Sequence, residues 1–428
     1  MISDIEQIYN SIKSFDLAAY GGDKIRKSPM PKRNAFGPNE KNYLNKAIAL
    51  YQDQDVDPGY QGAVEAEYCE SFVNFMGGQG YADAVATGTA SVFLAIAALN
   101  LPKNSSVIVS PITDPGTISA IIMNGLKPKL ADTRFDDYNM TSIQIEPRID
   151  KDVSAVLLVH ASGKASDADE IAKLCKRNNL AFIEDCSQAH GALIKGKQVG
   201  TFSDISAFST MYRKNSISGG CGGIVFSKNK NIFRNAIAHA DRGKPRWKKN
   251  FDDRNPNEFL FPALNWHTNE LSCAIGISSL KRLGDTIRKR QSFVSELFTL
   301  MCELDDSIFS IRSWLPSDAP FVIPIFVDHK KTKFTKKEIA NFLKAEGIDL
   351  NPHYQYLVSD WQWVKPYLFD DFIPKQALEN INNSFCLYLN ENYSIIEVKD
   401  ILAAMMKVEK NVLKNNKKKF FTIEKINY

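Results

Sequence analysis

From Ala82 onward, short apolar runs alternate with longer amphipathic segments. Ala84–Ala86, Val107–Val109, Pro128–Ala131, Ala155–Val159, Ala181–Ile183 and Ile205–Thr210 read as strands. Val92–Leu99, Thr117–Met123 and Asp167–Asn178 carry helical spacing between them. Strands alternating with helices of this length predict an α/β fold with a mostly parallel sheet covered on both faces. Ahead of it, Met1–Asn34 is polar, broken by Gly21-Gly22, Pro29 and Pro31, and reads as an arm outside any core. Pro38–Gln52 and Ala63–Met76 are predicted helices flanking the turn-rich Asp57–Gly62. Arg242–Pro262 reads as a long surface loop, and Glu270–Leu304 as a long helix broken near Gly284. Phe321–Val327 is then a strand, with helices at Lys336–Glu346 and Ser394–Lys410. The expected division is an N-terminal arm (1–34), a large domain (35–285) and a small C-terminal α+β domain (286–428).

Composition narrows the function classes. At 428 residues two domains are the natural expectation, and 44% apolar with 24% charged residues is ordinary for a globular protein. The net charge of +4 is small, and Lys and Arg are scattered, which argues against a nucleic-acid partner. Lys417–Lys419 reads as a solvated tail. The seven cysteines are widely spaced with no metal-ligand or CxxC pattern, so reduced thiols in a cytoplasmic protein are expected. Met1–Asp16 has no apolar signal core, and no run approaches the ~18 apolar residues of a membrane span. No metal site, Ser-His-Asp set or phosphate-binding P-loop is visible.

The chemistry concentrates between Leu180 and Ser227. Asp185 closes an apolar strand, with Glu184 pointing to the opposite face, and Gln188, His190 and Gly191 follow in a polar turn. The next strand-like run leads to Lys214 and then to Gly219, Gly220, Gly222 and Gly223. An acid ending one buried strand and a lysine just past the next suit pyridoxal 5'-phosphate (PLP). The carboxylate can hold the pyridine nitrogen protonated, and the amine can form the Schiff base. Thr87–Ser91, His160, Asp185 and Lys214 all fall at carboxyl ends of strands, where such sheets bind ligands. Gly88-Thr89-Ala90-Ser91 opens a helix whose backbone N–H groups would face an anion such as a phosphate monoester. The bland alternative is an ordinary N-cap by Thr87 or Thr89, and Asp114 reads the same way before its own helix.

This stretch resembles the DegT/StrS family of sugar aminotransferases, whose motif runs E-D-x-x-Q-x-H-G, then F-S, then K-N and a glycine cluster. Here the matching residues are Glu184-Asp185, Gln188, His190-Gly191, Phe208-Ser209 and Lys214-Asn215. The resemblance implies a fold-type I PLP enzyme: a large domain with a mostly parallel seven-stranded sheet, a smaller C-terminal α+β domain, and a homodimer with active sites at the interface. It implies that Gly88, Thr89, Ala90 and Ser209 hold the cofactor phosphate, Gln188 the phenolic oxygen and Asp185 the pyridine nitrogen. Lys214 would carry the cofactor and shuttle the proton. Asn265 would reach the neighbouring subunit's cofactor phosphate, although His267 stands where the family has arginine. Tyr60, His353 and Tyr354 fall where substrate-lining loops would lie, and His160 is either near the substrate or a hydrogen-bonded strand-end histidine. Pro111–Thr117 lacks the aromatic that stacks on the ring in the family, which suggests a less common subgroup. The expected reaction moves an amino group from L-glutamate to a keto-sugar, commonly nucleotide-linked, in amino-sugar or polysaccharide biosynthesis. A free sugar acid, a sugar phosphate or a cyclitol is the alternative acceptor. Rival readings are a PLP-dependent sugar dehydratase or deoxygenase, disfavoured because relatives of that kind carry histidine at the Lys214 position, and a non-catalytic regulatory relative.

Overall fold

The computed structural model describes residues 4–414 apart from 55, 136 and 305; the lysine run 417–419 lies outside them. Seven strands form the main sheet: β1 (Tyr81–Val85), β2 (Ser106–Val109), β3 (Lys127–Leu130), β4 (Val153–Val159), β5 (Ala181–Asp185), β6 (Ile205–Ser209) and β7 (Gly223–Ser227). Their spatial order is β1-β7-β6-β5-β4-β2-β3. β7 pairs antiparallel with both neighbours and the remaining pairs are parallel, so six strands point one way. Runs such as Val107–Val109 and Ala155–Leu158 are apolar at every position because helices cover both faces, leaving these residues with no exposed surface. Helices Gly88–Ala97, Pro115–Met123 and Lys230–Ala240 pack on one face; Ala63–Phe75, Ala168–Arg177 and Glu270–Lys281 pack on the other.

The predicted strands and helices appear with ends moved by a few residues. The break in the long helix comes at Arg282, between Glu270–Lys281 and Leu283–Cys302. β7 and the helix Lys230–Ala240 were not among the predicted elements, because GIVFS follows directly on a glycine cluster that reads as loop.

A second core surrounds a four-stranded antiparallel sheet built from Phe309–Ser310, Val322–Val327, Ser384–Tyr388 and Leu350–Asn351, in that spatial order. Helices Lys336–Ala345 and Ile395–Lys414 pack against it. The N-terminal segment corrects the expectation of a piece outside any core. Asp4–Ser11 is a helix, and Ile8, Ile12 and Leu17 are buried in this second core. The fully buried Lys407–Glu346 pair (2.9 Å) anchors it further, since the Ala18 and Ile25 amides donate to Glu346 and Lys407 donates to the Asp23 carbonyl. No described helix is long and apolar enough to cross a membrane.

Candidate functional site

The register of the central strands sets the floor of the site. β4 and β5 pair Val159 with Asp185, and β5 and β6 pair Asp185 with Ala207, so three carboxyl ends finish nearly level. Loops leaving these ends, together with those after β1 and β2, wall a cavity of ≈ 220 Å3. Gly88, Thr89, Asp185, Gln188, Ser209 and Lys214 all line it. Lys214 and Asp185, predicted from opposite ends of the motif, therefore meet in one space.

Asp185 is 4% exposed, and its carboxylate is oriented from two sides. The Thr117 hydroxyl donates to Oδ2 (2.9 Å) and the Ser187 amide to Oδ1 (3.0 Å), while Thr113 donates to Thr117 (3.0 Å). Thr117 lies in the helix Pro115–Met123, started by Asp114 accepting from the Gly116 amide. Gln188 is fixed through Oε1, which accepts the Ser162 amide (2.8 Å); its Nε2 makes no hydrogen bond among the described residues. Ser162 holds that amide in a left-handed conformation (φ 64°), a strain of about 1–3 kcal/mol for a non-glycine residue.

Lys214 is buried, with its amine 4.6 Å from the centre of the Phe321 ring. Burial lowers its pKa; the nearby Asp185 and Asp114 carboxylates oppose that effect. Neighbouring His190 is driven down to about 3, chiefly by burial and further by the Lys214 charge, so its ring stays neutral.

At the phosphate end the cap and the cradle coexist. Thr87 accepts the Ala90 amide (3.0 Å), which takes Ala90 out of the binding set: it is buried and absent from the cavity wall. The amides of Gly88 and Thr89 make no hydrogen bond among the described residues, so the first turn keeps two free donors. Gly88 must be glycine, since a Cβ there would stand 2.4 Å from Cβ of Ser209. Gly223 likewise lets β7 pass the Thr87 carbonyl, which a Cβ would meet at 2.4 Å.

The other predicted residues separate. His160 is not a substrate residue: it has no exposed surface, Nδ1 accepts the Ser166 amide (3.1 Å), and Nε2 donates to Glu184 (3.0 Å). Glu184 also accepts the Gly200, Phe202 and Ser203 amides. His160, Glu184 and Cys186 lie close enough to suggest a metal cluster, but this bonding leaves neither ring nitrogen with a free lone pair. Tyr354 lines a second cavity of ≈ 420 Å3 that shares Asp114, Gln188, Met211 and Lys214 with the first. His353 does not line it; it is exposed, and its amide caps on Asn351. Tyr60 and Asn265 are exposed and reach neither cavity of their own chain. Tyr60 instead stacks on His267 (4.0 Å) and accepts from Arg242 (2.6 Å). Sequence reasoning missed Thr117, Ser162 and Met211; the unusual Pro111–Thr117 segment was the only pointer to the first.

These residues fit PLP. A helix start with two unpaired amides beside a serine hydroxyl suits its phosphate, an unpaired amide suits a phenolic oxygen, and a buried carboxylate in no ion pair among the described residues suits a pyridinium N–H. No aromatic side chain lines the first cavity among the described residues; Val92, Val159 and Met211 supply its apolar wall.

Residues 44–403 match the DegT/DnrJ/EryC1/StrS aminotransferase family. The chain belongs to this family. As a DegT/DnrJ/EryC1/StrS member it is a PLP-dependent aminotransferase. GDP-perosamine synthase of Vibrio cholerae is 30% identical over 263 residues, 61% of this chain and 67% of that protein. The putative L-glutamine:3-amino-2,3-dideoxy-scyllo-inosose aminotransferase of Micromonospora echinospora is 28% identical over 66% of this chain and 65% of its own. The matches thus span about two thirds of these relatives' lengths. Among solved structures, an aminotransferase from Psychrobacter cryohalolentis superposes with a TM-score of 0.82 at 22% identity, over 90% of this chain and 100% of its own. An E. coli GDP-4-keto-6-deoxy-D-mannose-3-dehydratase with bound hydrated PLP reaches 0.79 at 20% identity, over 90% and 100%. At these identities the likeness speaks for the fold, which is that of fold-type I PLP enzymes.

Proposed function

We propose that this family member moves an amino group from L-glutamate to a keto-sugar, nucleotide-linked, in amino-sugar or polysaccharide biosynthesis, and that it works as a homodimer in the cytoplasm. The observation that carries this reading is the buried Lys214 in one cavity with Asp185, at the position where related dehydratases have histidine. The relatives named as a GDP-perosamine synthase and as an aminotransferase of an amino-dideoxy-scyllo-inosose support a sugar or cyclitol acceptor. Free thiols at all seven cysteines suit a reducing compartment.

Bound PLP supplies the electron sink. The chain's residues do the rest. The Gly88 and Thr89 amides and the Ser209 hydroxyl would hold its phosphate. Asp185, oriented by Thr117 and Ser187, would accept the pyridine N–H and keep that nitrogen charged. Gln188 would donate from Nε2 to the phenolic oxygen. Lys214 would hold the cofactor at its aldehyde carbon, and its free amine would take and return the proton at the substrate carbon. Its depressed pKa puts more of the amine in the basic form at neutral pH. Neutral His190 adds no second positive charge beside it. On this reading 35–285 carries the cofactor, and 286–428 closes the second cavity over the substrate.

Incubation of the PLP-loaded protein with L-glutamate should release about one equivalent of 2-oxoglutarate per bound cofactor. A subsequent keto-sugar should regain the amino group. No 2-oxoglutarate from L-glutamate, with turnover from L-glutamine instead, would overturn the donor assignment; loss of a sugar hydroxyl without amino transfer would favour the dehydratase.

A further inference from the structure

The second cavity has a cationic wall that the scheme above leaves unused. Arg33, Arg213 and Arg290 reach it beside Lys214, against the carboxylates of Asp114 and Asp349. Arg290 is committed elsewhere through both terminal nitrogens: Nη1 donates to Asn215 (2.6 Å) and the Pro320 carbonyl (3.3 Å) and Nη2 to Glu391 (2.9 Å), with only Nε unpaired among the described residues. Arg33 is only partly committed. Its Nη1 donates to the main-chain carbonyls of Tyr212 (3.2 Å) and Lys214 (2.9 Å). Its Nε and Nη2 are buried and have no hydrogen-bond partner among the described residues. Oε1 of Glu391, itself without a hydrogen-bond partner among the described residues, lies 3.7 Å from Nε and so faces that donor beyond bonding distance, which leaves Nη2 as the donor with no carboxylate opposite it.

Buried donors of a charged group are normally paired, and an orphan in a cavity wall points to a missing acceptor. Charge counts the same way. Among the described residues Glu391 is the one carboxylate paired with the Arg33 and Arg290 guanidinium groups, leaving one positive charge in excess. Burial, then repulsion by Arg290 and Arg282, brings Arg33 down to about 10 despite Glu391. An anion would relieve both penalties, and a guanidinium fork matches carboxylate or phosphate oxygens. Nη1 grips the main-chain carbonyl of Lys214, and both residues line this one cavity.

We propose that Arg33, on the N-terminal segment, anchors an anionic group of the substrate, carboxylate or phosphate, in the second cavity beside Lys214. The inference rests on the aminotransferase reading and deepens it: the anion is either the amino-acid donor's carboxylate or a phosphate of the sugar acceptor.

Calorimetric titration of wild type, Arg33→Gln and Arg33→Lys with glutarate, and separately with inorganic phosphate, tests it. The expected result is a dissociation constant raised about tenfold or more in Arg33→Gln, with Arg33→Lys recovering part of the loss because an ammonium lacks the fork. A loss confined to glutarate assigns the donor's carboxylate; a loss confined to phosphate assigns the acceptor. Wild-type affinity for both anions in Arg33→Gln, or no binding of either by wild type, overturns the proposal. Arg33 also holds two loop carbonyls, so melting temperature and covalent PLP retention are measured on each variant. Where Arg33→Gln loses them, Arg33→Lys decides: raised constants support the anchor and unchanged ones refute it. Failure of wild type to retain PLP would indict the aminotransferase reading instead, and the glutarate titration, repeated with the phosphate cradle of Gly88, Thr89 and Ser209 saturated by inorganic phosphate, would still judge Arg33 on the PLP-free protein.

Discussion

Asp185 depends on the neighbours that aim it. Its two oxygens are held by Thr117 and Ser187 so that the charge stays fixed in the cavity wall, where the residue is 4% exposed. Asp185→Asn keeps the shape and removes the charge, and should slow 2-oxoglutarate release from L-glutamate by about 100-fold or more. Thr117→Val removes one bond to a charged group and should cost about tenfold. PLP should stay attached to Lys214 in both, checked by mass spectrometry; an Asp185→Asn protein with wild-type turnover would refute the role. Asp185 and Lys214 were legible in sequence because one ends an apolar strand and the other stands just past the next, whereas Gln188 was legible through the family resemblance. His160 looked equivalent but is not. Val159 pairs with Asp185 and shares its side of the sheet, so the next residue turns away toward Glu184. That register depends on a pairing that sequence alone does not display. Thr117 and Ser162 were illegible for the same reason, since their partners lie 68 and 26 residues away.

At the scale of elements, one helix end is capped by another helix. Gly62 before Ala63–Phe75 has no side chain to cap with, and a Cβ there would meet the Tyr51 hydroxyl at 2.4 Å. Glu270 replaces the cap, accepting the Val64 and Glu65 amides at 3.0 Å each and the Tyr51 hydroxyl. The arrangement leaves a mark on Glu65. Burial, with the Glu270 charge adding to it, raises its pKa from 4.5 to about 7 against the Gln61 amide and Arg246. The folded protein therefore binds a proton that the unfolded chain has lost between those values, so stability from this group falls as pH rises from about 4.5 through about 7. Glu65→Gln should flatten that decline by at most about 3 kcal/mol, read from melts at pH 5 and pH 8; an unchanged slope would contradict it. Buried strands and amphipathic helices were legible because their periods are strong. β7 and the two-residue strands of the second sheet were not, because short apolar pieces beside glycines or prolines carry little period of their own. The N-terminal segment misled for a related reason: Ile8, Ile12 and Leu17 are too few and too scattered among polar residues to announce a core contribution.

At the scale of the molecule, the features left outside both cavities form a coherent surface. Fully buried Asp241 holds Arg242 and Arg246, Tyr60 stacks on His267, and Asn265 stands exposed nearby, bridged through its backbone to Asp241. Of these residues, Asn265 is the one the family resemblance assigns to the partner's active site, and its distance from the cavities of its own chain is what a shared site requires. Light scattering should give twice the mass of the chain at working concentration. A monomer that transfers amino groups at full rate would remove the basis for that assignment. The most direct test of the whole account is borohydride reduction of the PLP-loaded protein followed by peptide mapping. The account predicts one phosphopyridoxyl label per chain, on Lys214; a label on another lysine, or none on a protein that is folded and saturated with PLP, would contradict it.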